Sequence, residues 1–233
     1  MPKGHVALNR ALSKLGMLSR SQAIEAIRAG RVAVNGRIVR DPAREVIPER
    51  VDVAIDRVPV PRQASWRTLA FHKPRGVVTT RRDPEGRTTV FNVLGDAGRG
   101  LVAVGRLDLA STGLLLLTSD TRLANWITDP GNAVPRTYVV TVRGEVTADA
   151  ASDLPAAQAV VRKASRRESH LILELRQGRN REIRRMFSAI GHEVTRLHRV
   201  RFGGLELDDL QPGRWRELTR TELRAAFPRY PRL

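Results

Sequence analysis

Residues 105–118 read GRLDLASTGLLLLT and join a polar loop to a run of four leucines. Leu114–Leu117 is far too short to span a membrane and is typical of a strand buried on both faces. A second apolar segment, Leu101–Val104, precedes the loop. Asp108 is therefore expected between two core strands, where a rigid scaffold can present it. By composition alone, an Asp that only serves a turn is the commoner case.

The segments around this loop predict a mixed α+β domain with a mainly antiparallel sheet, flanked by helices. Helical spacing of apolar residues predicts two helices, at about Thr121–Thr128 and Arg181–Ile190. Further strands are predicted at Leu69–Phe71, Val77–Thr79, Tyr138–Val142, Leu171–Leu175 and Val194–Phe202.

Residues 1–62 are predicted to form a separate small unit, a helix pair followed by a hairpin, and residues 63–233 the larger domain. The first helix carries Leu8, Leu12 and Leu15 and stops at Gly16, and the second opens at a capping box of Ser19 and Gln22 and ends at Gly30. Asn35-Gly36 predicts a hairpin turn between Val32–Val34 and Ile38-Val39, and Val51–Ile55 alternates as a further strand. Pro59, Pro61 and the stretch to Ser65 are interpreted as the linker.

The charge of the chain indicates a polyanionic partner. Its 233 residues include 41 Lys and Arg against 24 Asp and Glu, a net charge of +17. The first 65 residues carry 12 of the basic and 6 of the acidic side chains, so both parts of the chain are basic. Such a balance is typical of proteins that bind nucleic acid or an acidic membrane surface.

Several classes of site are excluded or disfavoured by composition and motifs. The chain has no cysteine, which excludes disulfides, thiolate nucleophiles and Cys-ligated metals. It lacks a Walker loop and a dinucleotide-binding glycine pattern, and its five scattered His have no metal-ligand spacing. No apolar run exceeds four residues, and the N-terminus lacks the apolar core of a secretion signal. We expect a cytoplasmic protein without a membrane partner.

Two clusters of basic residues are candidates for RNA contact. The N-terminal one has only Glu25 as an acidic neighbour before Asp41, which favours phosphate contact over a merely solvated face. Its candidate residues are Arg10, Lys14, Arg20, Ser21, Arg28, Arg31 and Asn35. The second cluster lies between Arg176 and Arg201, and there a generic RNA clamp remains an alternative to a site.

The helix in the second cluster has two distinct faces. A buried stripe is predicted for Ile183, Met186, Phe187 and Ile190, and a basic face for Arg181, Arg184, Arg185 and Ser188. Asn180 is a suitable N-cap for this helix, and Gly191 is a suitable residue to end it. The predicted helix is thus anchored on one side and presents guanidinium groups on the other.

Residues 6–60 resemble a known RNA-binding module. The resemblance rests on Ser19–Ala23 and Ile27–Gly36, and the module is named for a primary-binding protein of the small ribosomal subunit. It implies binding to structured RNA through the helix pair and the start of the hairpin, and no chemistry.

The larger domain resembles RNA pseudouridine synthases, in the branch that modifies bacterial ribosomal RNA at single sites. The matching motifs stand in order along the chain, at His72–Thr80, Asp83–Arg87 with Thr89–Phe91, Gly105–Thr118, Arg136–Val140, Gly178–Phe187, Gly191-His192 and Arg196-Leu197. Arg136 departs from the Lys that is usual there, which keeps the charge and changes its geometry.

The resemblance implies roles for individual residues. Asp108 would be the essential carboxylate, acting by covalent attack or by driving formation of an unsaturated sugar, and Arg184 would keep it ionised. Tyr138 would stack on uracil and is a candidate for proton transfer, although a core aromatic is the alternative. The remaining substrate contacts would be Arg106 in the space left by the flipped nucleotide, Leu197 against the base, Lys73 as a phosphate contact or pocket support, and Arg185.

The implied reaction is the isomerisation of uridine to pseudouridine in ribosomal RNA, by a monomer that needs no cofactor, metal or obligate protein partner. The segment Asp83–Arg87 resembles the large-subunit members of the branch, which implies large-subunit rather than small-subunit RNA as the substrate. Two other interpretations stay open, a non-catalytic RNA-binding ribosome-assembly factor and a glycosidase-like hydrolase. The second would require paired carboxylates, and the signature loop holds only one.

Overall fold

The computed structural model describes residues 5–14, 18, 20–48, 50–60, 66–155, 157–179 and 181–231. Contacts between Cα atoms divide the chain into two units, residues 1–67 with 99–101, and residues 68–98 with 102–233. None of the helices in the described ranges combines the length and apolarity that a membrane crossing requires.

The N-terminal unit packs two helices and short strands around one apolar cluster. Leu8, Leu12, Ala23 and Ile27 are fully buried there. Its elements are β1 (Val6–Ala7), α1 (Leu8–Lys14), α2 (Arg20–Arg28), β2 (Val32–Val34), β3 (Arg37–Ile38), β4 (Glu45–Val46), β5 (Val53–Ile55) and β6 (Val58–Val60).

The predicted hairpin is present, with β2 paired antiparallel to β3 and β5. Asn35 and Gly36 have φ of 49° and 78°, as a type I′ turn requires. The interpretation of Pro59 as linker is wrong, because this residue lies in β6 opposite Ala54. β6 is an edge strand, where a proline can be accommodated without a donor on its open side. The predictions for Leu15, Gly16, Ser19 and residues 61–65 fall outside the described residues.

The larger unit is built on one sheet, which has nine strands in the described residues, in the order β11-β12-β10-β13-β9-β7-β15, with β8 on β9 and β14 on β13. The strands are β7 (Thr68–Lys73), β8 (Val102–Val104), β9 (Thr112–Thr118), β10 (Arg136–Arg143), β11 (Ala157–Ala164), β12 (Glu168–Leu175), β13 (Val194–Phe202), β14 (Leu205–Glu206) and β15 (Trp215–Glu217). The helices are α3 (Val90–Leu94), α4 (Thr121–Thr128), α5 (Ala148–Ser152), α6 (Glu182–Ala189) and α7 (Arg220–Ala226). The mixed, mainly antiparallel fold class is confirmed, and the pairing of β9 with β13 is parallel.

The four leucines of the opening segment lie in β9, in the interior of the sheet. All four are fully buried, as predicted for a strand that is covered on both faces. On one face, Leu114 and Leu116 belong to a cluster with α4 and α7 that includes Leu123, Ile127 and Phe227. This packing fixes β9, and with it the loop that holds Asp108.

Two local predictions differ from the structure. Val77–Thr79 forms no strand and makes a single bridge, between Val78 and Thr89. Ile190 is 40% exposed, whereas Ile183, Met186 and Phe187 are buried as predicted. The reason is that α6 already ends at Ala189, so Ile190 leaves the helical stripe. The predicted N-cap Asn180 falls outside the described residues.

Candidate active site

A cavity of about 230 Å³ opens on one face of the sheet of the larger unit. Its lining comes from the loop before β9, the strands β10 and β13, and the start of α6. Sequence-predicted residues in this lining are Arg106, Asp108, Tyr138 and Leu197. The fold therefore brings together residues that lie up to 91 positions apart in the chain.

The loop that carries Asp108 is held by backbone and side-chain hydrogen bonds. Thr79 Oγ1 donates to the Leu107 carbonyl at 2.8 Å and accepts from the Leu107 amide at 3.3 Å. The Ser111 amide donates to the Asp108 carbonyl at 3.0 Å. Leu107 is buried, Asp108 is half-buried and Arg106 is exposed. The backbone on both sides of Asp108 is thus held by hydrogen bonds, and Asp108 belongs to the cavity lining.

Lys73 is hydrogen-bonded to the loop that carries Asp108. Its side chain is fully buried, and Nζ donates to the carbonyls of Pro74 at 2.9 Å and Ser111 at 2.8 Å. Burial lowers the pKa of Lys73 to about 8, and the nearby negative charge of Asp108 opposes that shift. With no exposed surface, Lys73 fits the expected pocket support and does not fit the expected phosphate contact.

The lowered pKa makes stability depend on pH. Because the unfolded chain binds a proton at Lys73 up to pH 10.5 and the folded chain only up to about 8, folding is favoured increasingly between these values. We expect the unfolding free energy of the wild type, relative to Lys73→Met, to rise by up to about 3 kcal/mol from pH 8 to 10.5. Urea unfolding of both proteins across this range measures the difference. A flat difference would show that Lys73 titrates normally.

Arg184 lies on α6 within the electrostatic reach of Asp108. Its Nη1 donates to the Val194 carbonyl at 2.7 Å, while Nε and Nη2 are buried without a partner in the described residues. Burial and the like charge of Arg181 lower the pKa of Arg184, and the negative charge of Asp108 partly opposes that shift. Among the described side chains the two form no ion pair within 4.0 Å, so the expected pairing is a longer-range attraction here. Arg185 is exposed and lies outside the cavity lining.

Tyr138 and Leu197 line the cavity from neighbouring strands. Both are 8% exposed, and β10 pairs with β13 so that Tyr138 lies opposite Arg199 and Val140 opposite Leu197. Residues at alternate positions share one face of a strand, which places both side chains on the cavity side. Tyr138 is therefore part of the cavity wall, where the sequence left a core aromatic as the alternative.

Two buried arginines in the same wall were not predicted as site residues. Arg136 donates to the carbonyls of Val134, Arg176 and Ile127 at 2.9, 3.2 and 3.0 Å, so it braces the strand. The guanidinium groups of Arg136 and Arg199 lie 5.1 and 4.6 Å from the ring centroid of Phe202. Their place in the wall could have been predicted from the sequence. Arg136 lies two residues from Tyr138 and Arg199 two residues from Leu197, and residues two apart in a strand share one face.

Two of the histidines are hydrogen-bonded to other parts of the chain. His198 Nδ1 shares a hydrogen bond of 2.7 Å with Thr112 Oγ1, and His192 Nδ1 bonds the Arg143 carbonyl at 2.8 Å. In the part of the chain that the structure describes, no three His, Cys, Asp or Glu side chains cluster as a metal site would require.

Basic and polar side chains are exposed on the N-terminal unit. Arg10, Arg20, Ser21, Arg28, Arg31 and Asn35 are all exposed, and the side chain of Lys14 falls outside the described residues. Arg31 is partly neutralised, since its Nε donates to Asp56 at 2.7 Å and the two form an ion pair. Asn35 Oδ1 accepts from the Asp52 amide, so its oxygen serves the hairpin.

Comparisons with known proteins identify the families that the two units match. Residues 67–189 match the family described as RNA pseudouridylate synthase, and residues 6–51 match the S4 domain. Ribosomal small subunit pseudouridine synthase A of Escherichia coli K12 is 36% identical over 221 residues, covering 88% of this chain and 93% of that protein. Ribosomal large subunit pseudouridine synthase B of Salmonella typhi is 39% identical over 228 residues, covering 91% and 78%. A crystal structure of a pseudouridylate synthase superposes with a TM-score of 0.64 at 27% identity, covering 94% of this chain and 98% of that one.

Proposed function

Because this chain belongs to the RNA pseudouridylate synthase family and carries an S4 domain, we propose that Asp108, in the cavity beside Tyr138 and Leu197, isomerises a uridine of ribosomal RNA to pseudouridine. The enzyme is an isomerase, and its relatives act on ribosomal RNA of both subunits. The observation that carries the residue assignment is the convergence of a fixed carboxylate, an aromatic ring and a leucine on one cavity.

The reaction breaks the bond between uracil N1 and the sugar, turns the base and joins C5 to C1′. The Asp108 carboxylate would promote this cleavage either by attack on C1′ or by removing a sugar proton. Tyr138 and Leu197 would hold the base between them. A uridine inside a helix must leave its stack to reach the cavity, and Arg106, which is exposed and lines the cavity, would fill the gap that the base leaves. None of these steps calls for a redox group or a donor molecule.

The proposed substrate is ribosomal RNA or a precursor particle in the cytoplasm, and the proposed active form is a monomer without an obligate protein partner. The proposed RNA is that of the large subunit, on the resemblance of the segment Asp83–Arg87 to the large-subunit members of the branch. In this segment, Arg87 makes two side-chain bonds to Asp83 at 2.9 and 2.7 Å, which close the loop.

The test of this function uses ribosomal RNA that carries uridine tritiated at C5. Replacement of the C5 hydrogen releases tritium, so we expect the protein to release one equivalent per target site. Absence of release from both ribosomal RNAs and from precursor particles would refute the function. Mapping of pseudouridines in a strain that lacks the gene then identifies the position and the subunit, and light scattering gives the oligomeric state.

The exposed arginines of the N-terminal unit are proposed to dock the RNA. We expect replacement of both Arg20 and Arg28 by Gln to weaken RNA binding and to reduce the slope of log affinity against log salt by about 2. The tritium-release rate at saturating enzyme should stay unchanged, because neither residue lies in the unit that holds the cavity.

The matched control replaces Arg162 and Arg166 by Gln, which removes the same charge from exposed positions of the larger unit. Filter binding at several salt concentrations measures both variants. An equal loss of affinity in the two would mean that only net charge matters, and the N-terminal unit would have no docking role.

A further inference from the structure

Arg199 is a buried cation that the fold does not fully satisfy. The residue is 2% exposed, and its Nε donates to the Leu114 carbonyl at 2.6 Å. Its Nη2 is buried and has no hydrogen-bond partner in the described residues, and no described carboxylate forms an ion pair with the residue. Buried donors of this kind are rare in native structures, because each unmade bond is costly.

A second orphan group lines the same cavity. Ser111 is 1% exposed, and its Oγ has no partner in the described residues, although its backbone is bonded to Asp108 and Lys73. Both Ser111 and Arg199 belong to the cavity lining. Two buried polar groups without a partner at one cavity indicate a ligand whose oxygen atoms can form hydrogen bonds with them.

The position of Arg199 identifies the part of the ligand that it meets. Arg199 lies opposite Tyr138 in the antiparallel register of β10 and β13, and Leu197 precedes it by two residues on the same face. It is therefore a direct neighbour of the two side chains proposed to hold the uracil. Arg179 and Arg181 also belong to the cavity lining and are exposed, so they are better suited than the buried Arg199 to contact phosphates.

We infer that Arg199 is a further catalytic residue, whose Nη2 donates a hydrogen bond to a carbonyl oxygen of the target uracil. The inference rests on the proposed function. When the bond between C1′ and N1 breaks, its electron pair stays with the base, and the negative charge spreads over N1 and the two carbonyl oxygens. A guanidinium fixed in a buried wall stabilises that anion without reorganising. After C5 has joined C1′, the C5 proton leaves and N1 takes up a proton.

The experiment compares wild type, Arg199→Gln and Arg199→Lys in single turnovers, with enzyme in saturating excess. One RNA carries uridine at the target and the other 5-fluorouridine, whose electron-withdrawing fluorine makes the departing base less basic. Loss of the starting nucleoside is measured by chromatography of nuclease digests. Arg143→Gln is the matched control, because Arg143 is exposed at the end of β10, where it pairs with Glu193, and lies outside the cavity lining.

On the uridine RNA we expect Arg199→Gln to be slower by roughly 100-fold and Arg199→Lys by roughly 10-fold, with RNA affinity unchanged. On the 5-fluorouridine RNA both defects should shrink by about 10-fold, since a better leaving group needs less stabilisation. Arg143→Gln should stay within about threefold of wild type on both.

Equal defects on the two RNAs would overturn the inference. That result would assign Arg199 to a phosphate contact, or to bracing β9 through Leu114 if the melting temperature also fell. If Arg199→Gln does not fold, the defects of Arg199→Lys on the uridine RNA and on the 5-fluorouridine RNA are compared instead. A wild type that converts neither RNA would refute the proposed function instead, so the two failures can be told apart.

Discussion

Replacement of Asp108 by Asn is expected to reduce tritium release from ribosomal RNA by about 1,000-fold or more, while RNA affinity changes by less than about threefold. The amide keeps the size of the side chain, and the loop is held by backbone contacts of Leu107 and Ser111 that the change does not touch. What is lost is the negative charge, on which either form of the proposed cleavage depends. Single-turnover tritium release and filter binding measure the two quantities.

Asp153→Asn is the matched control, because it makes the same change at an exposed residue that follows α5. We expect this variant to react like wild type. A rate for Asp108→Asn within about tenfold of wild type would remove Asp108 from the chemistry, and the non-catalytic RNA-binding interpretation would then have to be weighed again.

Gly113→Ala is expected to lower the free energy of unfolding by about 3 kcal/mol or more. A Cβ atom at this position would lie 2.2 Å from the carbonyl oxygen and 2.6 Å from the amide nitrogen of Arg199, and φ is 108°. Both neighbours are backbone atoms of a central strand, so they cannot move aside as a side chain end could. Urea denaturation measures the loss.

The control for this prediction is Gly86→Ala. Gly86 also has a positive φ, of 70°, but a Cβ there would meet nothing within 4 Å. We expect a cost of about 1 kcal/mol, which is the strain of a left-handed backbone alone. Equal losses for Gly86→Ala and Gly113→Ala would show that the approach of β9 to β13 can relax.

Elements that depend on local patterns could be predicted closely. The helix Thr121–Thr128 has the predicted bounds, because Asp120 accepts from two amides of its first turn and the apolar residues recur at helical spacing. Short elements were missed, among them α3 and the three-residue strand β15. α3 has five residues, and its capping box of Thr89 and Asn92 departs from the usual pattern of Ser/Thr with Glu/Gln.

The loop of Asp108, the buried strand after it and the two faces of α6 could be predicted from the sequence, because each depends on residues that are neighbours in the chain. The surroundings of Asp108 could not, since they come from distant segments. Lys73 is fully buried in the fold, which favours pocket support over phosphate contact. Arg199 lies beside Tyr138 because strands distant in the chain pair in one sheet. Periodicity shows which face a residue occupies, but pairing and register decide which side chains share a cavity, and these depend on packing across the whole domain.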